Sequence, residues 1–383
     1  MSESTQEGHL PLPLLTSPIE IIDAGETEHT RSRPLHLRLP QIALHAVLVV
    51  TALWLFVIAL QLIKTGASGL KPVLDSVSAN GVLGHLGFGW FGSYVVMSGS
   101  PIAAVAMSLY AGGATTDLET FAMINGSRLG ASLIVLVVGF ISYVAGKRNP
   151  DGLYIGVVAL LTAVTLWTPA VPLGLLILDK GWLDGVRVAS PGGLSSFVTT
   201  ISNPAVNPLS DALPRLAVFG CGLASLIGAF TLFDRSLPSL ERPGPRFEAL
   251  SRALQQRYAM FAFGTLVTLL TLSVSLSVTI LVPLALKGYV RRDRVIPYVM
   301  GANIATWVDT LLAAMLLNSP HAFTIVLTEM LVGGSISLTV LFLLYKPYTR
   351  MILAMAHVVS SSRRNLLLFL AAMFVMPLVL LAV

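Results

Sequence analysis

Two stretches of the chain repeat one another at an offset of 175 residues. Both are apolar, rich in small residues and broken by glycine. The first is MSGSPIAAVAMSLYAGG with MINGSRLGAS, residues 97–113 and 123–132. The second is LSVSLSVTILVPLALKG with YVMGANIATW, residues 272–288 and 298–307. Ser98 falls on Ser273, Ser100 on Ser275, Gly113 on Gly288 and Gly126 on Gly301. Backbone that leaves regular helix inside a membrane is tolerated only where it is buried or lines a cavity. A duplicated, interrupted apolar segment therefore points to a transporter's binding site, built where two repeats meet.

The membrane setting follows from composition. Charged residues are 11% of the chain, against about 25% in a soluble protein, and the mean hydropathy is +0.80. The expected class is an all-α polytopic membrane protein whose surrounding partner is the lipid bilayer. Cys221 is the sole cysteine, which excludes an intrachain disulfide and a thiolate metal cluster. The basic residues lie between apolar segments, where they set orientation, and no nucleic-acid partner is expected.

A spanning helix needs about 20 mostly apolar residues. Seven full spans are expected near 42–64, 118–145, 153–178, 212–233, 295–318, 321–345 and 365–383. The apolar stretches 84–112 and 259–286 carry the duplicated motif and are interrupted at Ser98–Pro101 and at Ser273–Thr279 and Pro283. Each is expected to be a re-entrant hairpin. That reading places Lys147, Arg148, the basic loop with Arg235, Arg242, Arg246, Arg252 and Arg257, and Lys287 to Arg294 all on the cytoplasmic side, as the positive-inside rule asks. It also sets the two repeats in opposite orientations.

The domains expected are a disordered cytoplasmic tail 1–40, repeat 1 at 41–178, an extracytoplasmic linker 179–211, repeat 2 at 212–345, and an interfacial segment with a C-terminal span at 346–383. The location expected is the inner membrane, with the N-terminus cytoplasmic and the C-terminus extracytoplasmic.

At these residues the chain resembles the bacterial sodium–phosphate cotransporter family, related to the type II phosphate cotransporters. The family carries two inverted repeats, each with a Gln-Ser-Ser-Ser hairpin motif followed by a Gly-Ala-Asn-Ile-Gly-Thr-Thr segment. The second segment here is Gly301-Ala302-Asn303-Ile304-Ala305-Thr306-Trp307, and its first copy is Gly126-Ser127-Arg128-Leu129-Gly130-Ala131-Ser132. Met97-Ser98-Gly99-Ser100 and Leu272-Ser273-Val274-Ser275 stand in place of the hairpin motifs, without their glutamines, and Arg128 replaces the first asparagine. The family's soluble C-terminal domain is missing. The resemblance covers roughly residues 45–345. It implies alternating-access symport of a phosphate-like anion, with sodium as a bound ion and no other cofactor.

Ser98, Gly99, Ser100, Ser273 and Ser275 lie at the hairpin bends, where hydroxyls and freed N–H groups could hold an oxyanion. Small residues there also serve close helix packing. Arg128 lies deep in its span, and an intramembrane charge is by default a functional-site hypothesis. Its fork suits an oxyanion; its other reading is a structural ion pair, with Asp309 the expected partner. Asp309 and Glu329 are candidate coupling-ion sites, and Glu329 is the candidate proton carrier. Asn303 and Thr306 share a face at i, i+3 and offer neutral oxygens to substrate or cation.

The leading reading is a secondary transporter of a small anion coupled to sodium or protons, not an enzyme. A membrane scaffold that kept the fold and lost transport is the alternative. A serine hydrolase would need a base beside its serine, and His85, His321 and His357 fall outside span interiors. No phosphate-binding G-x-x-x-x-G-K-[ST] loop occurs, against ATP-driven pumping. Oligomeric state is left open, with a homo-oligomer allowed.

Overall fold

The long apolar runs fold as helices because hydrocarbon leaves no other way to satisfy the backbone. The computed structural model describes residues 35–76, 81–134, 136–137, 150–186, 192–236, 255–271, 274, 277–278, 281 and 290–383. These are 90% helical, with no strand among them. Residues Leu44–Val383 form one unit, described below. The expected tail to residue 34, Lys147, Arg148, Arg187, Arg242, Arg246, Arg252, Ser273, Ser275, Pro283 and Lys287 lie outside the described residues.

In chain order the helices are α1 (Leu35–Ser76), α2 (Gly81–Val96), α3 (Gly99–Ala111), α4 (Asp117–Ala131), α5 (Pro150–Asp179), α6 (Gly192–Ala212) and α7 (Arg215–Ser236). They continue with α8 (Arg257–Thr271), α9 (Val295–Ala305), α10 (Trp307–Leu316), α11 (Pro320–Thr339), α12 (Tyr345–Ser360) and α13 (Arg363–Leu381). Among the described residues, six stretches are long and apolar enough to cross a membrane: Leu44–Leu70, Gly152–Asp179, Arg215–Phe233, Arg292–Leu316, Pro320–Ser360 and Arg363–Leu381. They answer six of the seven expected spans. The other, 118–145, is α4 up to a break at Ser132, then helix again at residues 133–134; most of its remainder is outside the described residues. The span expected to end at 345 runs on through a π-helical turn, Val340–Leu344, into α12. Segment 179–211, expected as a linker, contains α6, which packs on the apolar middle of α1: Trp54 Nε1 donates to Ile201 O at 3.3 Å, and Val206 is buried with Ile58 and Leu62.

The first hairpin is real. α2 ends at Val96, and Met97 after it sits in the left-handed region at φ 56°. The Ser98 N–H then bonds back to Ser93 O at 3.2 Å, the reach-back of a Schellman turn. Chain reversal brings residues ten apart together: a Cβ on Gly92 would lie 3.3 Å from Ile102 Cδ1. Pro101 falls in the first turn of α3, where its missing N–H costs nothing. After α3, a capping box starts α4: Thr116 Oγ1 accepts from Glu119 N, and Glu119 Oε2 accepts from Thr116 N.

The two repeats are copies in atomic detail. Gly126 presses on Leu86 O and Gly89 on Met123 O; a Cβ would fall 2.1 and 2.0 Å from those oxygens. The positions 175 residues on repeat both contacts. A Cβ on Gly301 would lie 2.1 Å from Phe261 O, and one on Gly264 would lie 2.2 Å from Tyr298 O. Only glycine allows backbones so close. α2 against α4 is thus the same joint as α8 against α9.

The copies are inverted, and α11 reports it. Ser319, just before α11, lines a cavity with Thr116, Asp117 and Leu118 at the start of α4. At the other end of that long helix, the Tyr345 hydroxyl donates to Asp293 O at 3.0 Å, just before α9. The equivalent helices α4 and α9 therefore enter from opposite ends. The two break within one position of the equivalent place, α4 at Ser132 and α9 at Thr306.

Among the described residues, two large apolar cores stand beside the small cluster of Ile58, Leu62, Val206 and Val218. One gathers Trp167, Trp307, Tyr298 and their neighbours, the other Phe56, Met107, Phe121 and theirs. α4 and α11 contribute to both. They form a seam between these cores, and that seam holds the buried Arg128 and Glu329, with the buried Asp309 beside it on α10.

Candidate functional site

One cavity lies where the interrupted helices meet. Ser98, Gly99, Ser100, Arg128, Ala131, Val274, Asn303 and Thr306 line it. Six of these eight were singled out from the sequence. Three pairs within the lining stand 175 positions apart: Gly99 with Val274, Arg128 with Asn303, and Ala131 with Thr306. The cavity therefore straddles the pseudo-symmetry axis. Its volume is about 10 Å³, at the lower limit for a single water.

The lining is rich in hydrogen-bond donors. Ser98 caps α3 in extended backbone, φ −162° and ψ 141°, without a side-chain cap bond, so the N–H groups of that first turn are not taken by the cap. The Asn303 Nδ2 donor is buried and has no partner. The Thr306 hydroxyl donates to Asn303 O at 2.7 Å, leaving lone pairs as acceptors.

Arg128 is 5% exposed and forms the back of the cavity. Its Nε donates to Glu329 Oε1 at 3.1 Å. Its Nη2 donates to Thr310 Oγ1 at 2.8 Å. Thr310 in turn donates to Asp309 Oδ1 at 3.1 Å. These bonds use two of the five N–H donors of the guanidinium. The expected pairing with Asp309 is corrected: Glu329 is the direct partner, and Asp309 is reached through Thr310. The cause is rotation along α10, since adjacent helical residues point about 100° apart. Thr310 faces Arg128, while Asp309 turns toward a crevice between α1 and α7 lined by Phe56 and Phe230.

Asp309 is 6% and Glu329 1% exposed. Asp309 Oδ2, Glu329 Oε2 and Trp307 Nε1 are buried without a hydrogen bond. The Ser100 hydroxyl lies beside Asp309 and the Trp307 indole beside Glu329. Native structures seldom leave so many buried polar atoms unsatisfied in one place.

Ser98, Gly99, Ser100, Arg128, Asn303 and Thr306 are brought together as the cavity wall; Asp309 and Glu329 stand behind it. Ser273 and Ser275 lie outside the described residues, but Val274 between them is on the wall. Sequence reasoning missed Thr310, Val274 and Ala131. The 175-residue offset, applied to Gly99 and Thr306, points to the last two. Thr310 carried only its position one turn after Thr306.

No family model, curated protein or solved structure matches the chain.

Proposed function

We propose that this protein is a secondary active transporter of a small anion, phosphate-like by its resemblance to the sodium–phosphate cotransporter family, working by alternating access. The observation that carries the reading is the single cavity built from equivalent positions of two inverted repeats. A site on such an axis is reached from either side by the same motion of one half or the other. The chemistry of the wall favours an anion: a guanidinium, a helix N-terminus and the free amide of Asn303. The positive end of a helix and its freed N–H groups attract negative charge. At about 10 Å³ the cavity is far below a phosphate's size, so transport requires the hairpin tip at Met97–Ser98 to swing away from α4 and α9.

Basic residues cluster at one end of the molecule. Arg257, Arg291, Arg292, Arg294, Lys346 and Arg350 gather around Tyr345 and the start of α12. The positive-inside rule makes this end cytoplasmic, in a multi-pass cell membrane location.

The test is uptake of radiolabelled phosphate by the purified protein in liposomes, under an imposed sodium gradient and, separately, a proton gradient. Uptake that exceeds empty liposomes and is weakened in Arg128→Lys, which keeps the charge without the fork, supports the reading. Absence of uptake of phosphate, sulfate and small carboxylates under both gradients would leave the transport-inactive scaffold as the function.

A further inference from the structure

The Arg128 cluster holds two carboxylates and one cation. Charges this deep are tolerated only when balanced, because desolvation costs several kcal/mol per ion. Counting Arg128 and Glu329 as the ion pair leaves Asp309 unmatched.

The groups around Asp309 provide no second cation among the described residues. α11 brings Glu329 and, in its first turn, His321. α9 carries Tyr298, whose hydroxyl is bonded to Ser277. α3 carries Tyr110, at its far end. α6 carries Asp211, in its last turn. α1 and α7 meet Asp309 with Ala52, Leu53, Phe56, Ala229, Phe230 and Phe233. Lys64 of α1 is spent at the other end of α10, where its Nζ donates to Leu317 O at 3.2 Å.

We propose that this cluster is a proton-coupling site: Asp309 carries a proton in this state, and Glu329 takes up a second when an anion claims Arg128. Each step conserves charge. Before loading, the guanidinium, the Glu329 carboxylate and neutral Asp309 sum to zero. A monovalent anion entering the cavity competes for the N–H donors now given to Glu329 Oε1. Glu329, released from Arg128, would be a bare buried carboxylate. It accepts a proton from water, the new O–H bond forming on its carboxylate, and the loaded cluster again sums to zero. Release of the anion reverses both transfers. The Glu329 half rests on the transport reading; the Asp309 half does not.

Geometry gives the proton its places. Asp309 Oδ2 and Glu329 Oε2 are the atoms without partners. A protonated Asp309 is a donor, and the Ser100 hydroxyl on the cavity wall lies beside it as an acceptor. That would link proton and anion sites through the tip of the first hairpin.

The experiment is infrared difference spectroscopy of the whole protein in lipid nanodiscs. A C=O stretch of a neutral carboxylic acid, shifted by deuterium, is expected near neutral pH with or without sodium. It should vanish in Asp309→Asn and move in frequency in Asp309→Glu, while Glu329→Gln, which leaves Asp309 as the one carboxylate to balance Arg128, should abolish it as well. Absence of the band in the wild type, its survival in Asp309→Asn, or its loss on adding sodium overturns the Asp309 half. A pH indicator in weak buffer then reads proton uptake on adding inorganic phosphate to detergent-solubilised protein. With the pH held below the second ionisation of phosphate, so that the added ion is already monovalent, about one proton per phosphate bound is expected, and none in the double variant Asp309→Asn with Glu329→Gln. Phosphate binding without proton uptake overturns the Glu329 half and leaves the transport reading intact. The Asp309 band without any phosphate or other anion binding would instead overturn the transport reading.

Discussion

Arg128 is held by partners on two other helices, so its loss should be felt first as instability. Removing one member of a buried pair strands the other, at a cost of about 3–5 kcal/mol. Arg128→Ala is expected to lower the melting temperature in detergent sharply. The double change Arg128→Met with Glu329→Leu should recover most of that loss and still fail to take up anion. Arg128→Lys should stay folded but bind anion more weakly, since a single ammonium lacks the bidentate fork. If the double change restores uptake, Arg128 is a strut and not a ligand. The depth of Arg128 and Glu329 was legible in the sequence, because an apolar run gives distance from its ends. Their pairing was not. Which of two carboxylates turns toward a given arginine depends on rotation about α10 and α11, fixed by packing between residues some 200 positions apart.

At the scale of elements, the glycine joints between α2 and α4 and between α8 and α9 make a matched prediction. Gly126→Ala and Gly301→Ala each drive a methyl into a backbone oxygen, at Leu86 and Phe261 respectively. Both should destabilise by about 1–3 kcal/mol, the usual cost of overpacking. Gly220→Ala on α7 has open space around it and should be neutral or gain up to about 1 kcal/mol of helix propensity. Equal melting temperatures for all three would show that the close joints are not what holds the repeats together. Met97 offers the converse. A left-handed residue with a side chain carries about 1–2 kcal/mol of strain, so Met97→Gly should raise the melting temperature. The hairpin break at 97–98 was readable from its Ser-Gly-Ser-Pro run. α6 was not: its stretch, with Pro204 and Pro208 inside it, lies but for its last residue within the expected linker 179–211, and only the apolar flank of α1 shows why a helix forms there.

For the whole molecule, inversion is the property that can be checked without a ligand. On a Cys221→Ser background, cysteines at Gly113 and Lys346, both exposed, should react with a membrane-impermeant reagent from opposite sides. Labelling of both from one side would remove the inverted arrangement. The duplicated motif made the repeats legible, and the basic loops predicted their opposition. The two separate apolar cores, and the seam of α4 and α11 between them, were not legible. Every span is apolar all round, so its pattern does not say which face meets which neighbour.

The paired positions on the cavity wall also show what two separate identical halves could not build. A half-length chain related to itself by this axis would work as two identical copies lying head to tail across the bilayer. Such a chain must insert in both senses, so it can have no strong preference for which end faces inward. Identical copies would also have placed the same residue at both 128 and 303. Two arginines would have put two like charges in one small chamber, and two asparagines none. A single polypeptide holds each half in one sense and leaves the two positions free to differ. The chamber now holds a single guanidinium facing a neutral amide, an asymmetry that no pair of identical subunits could reach.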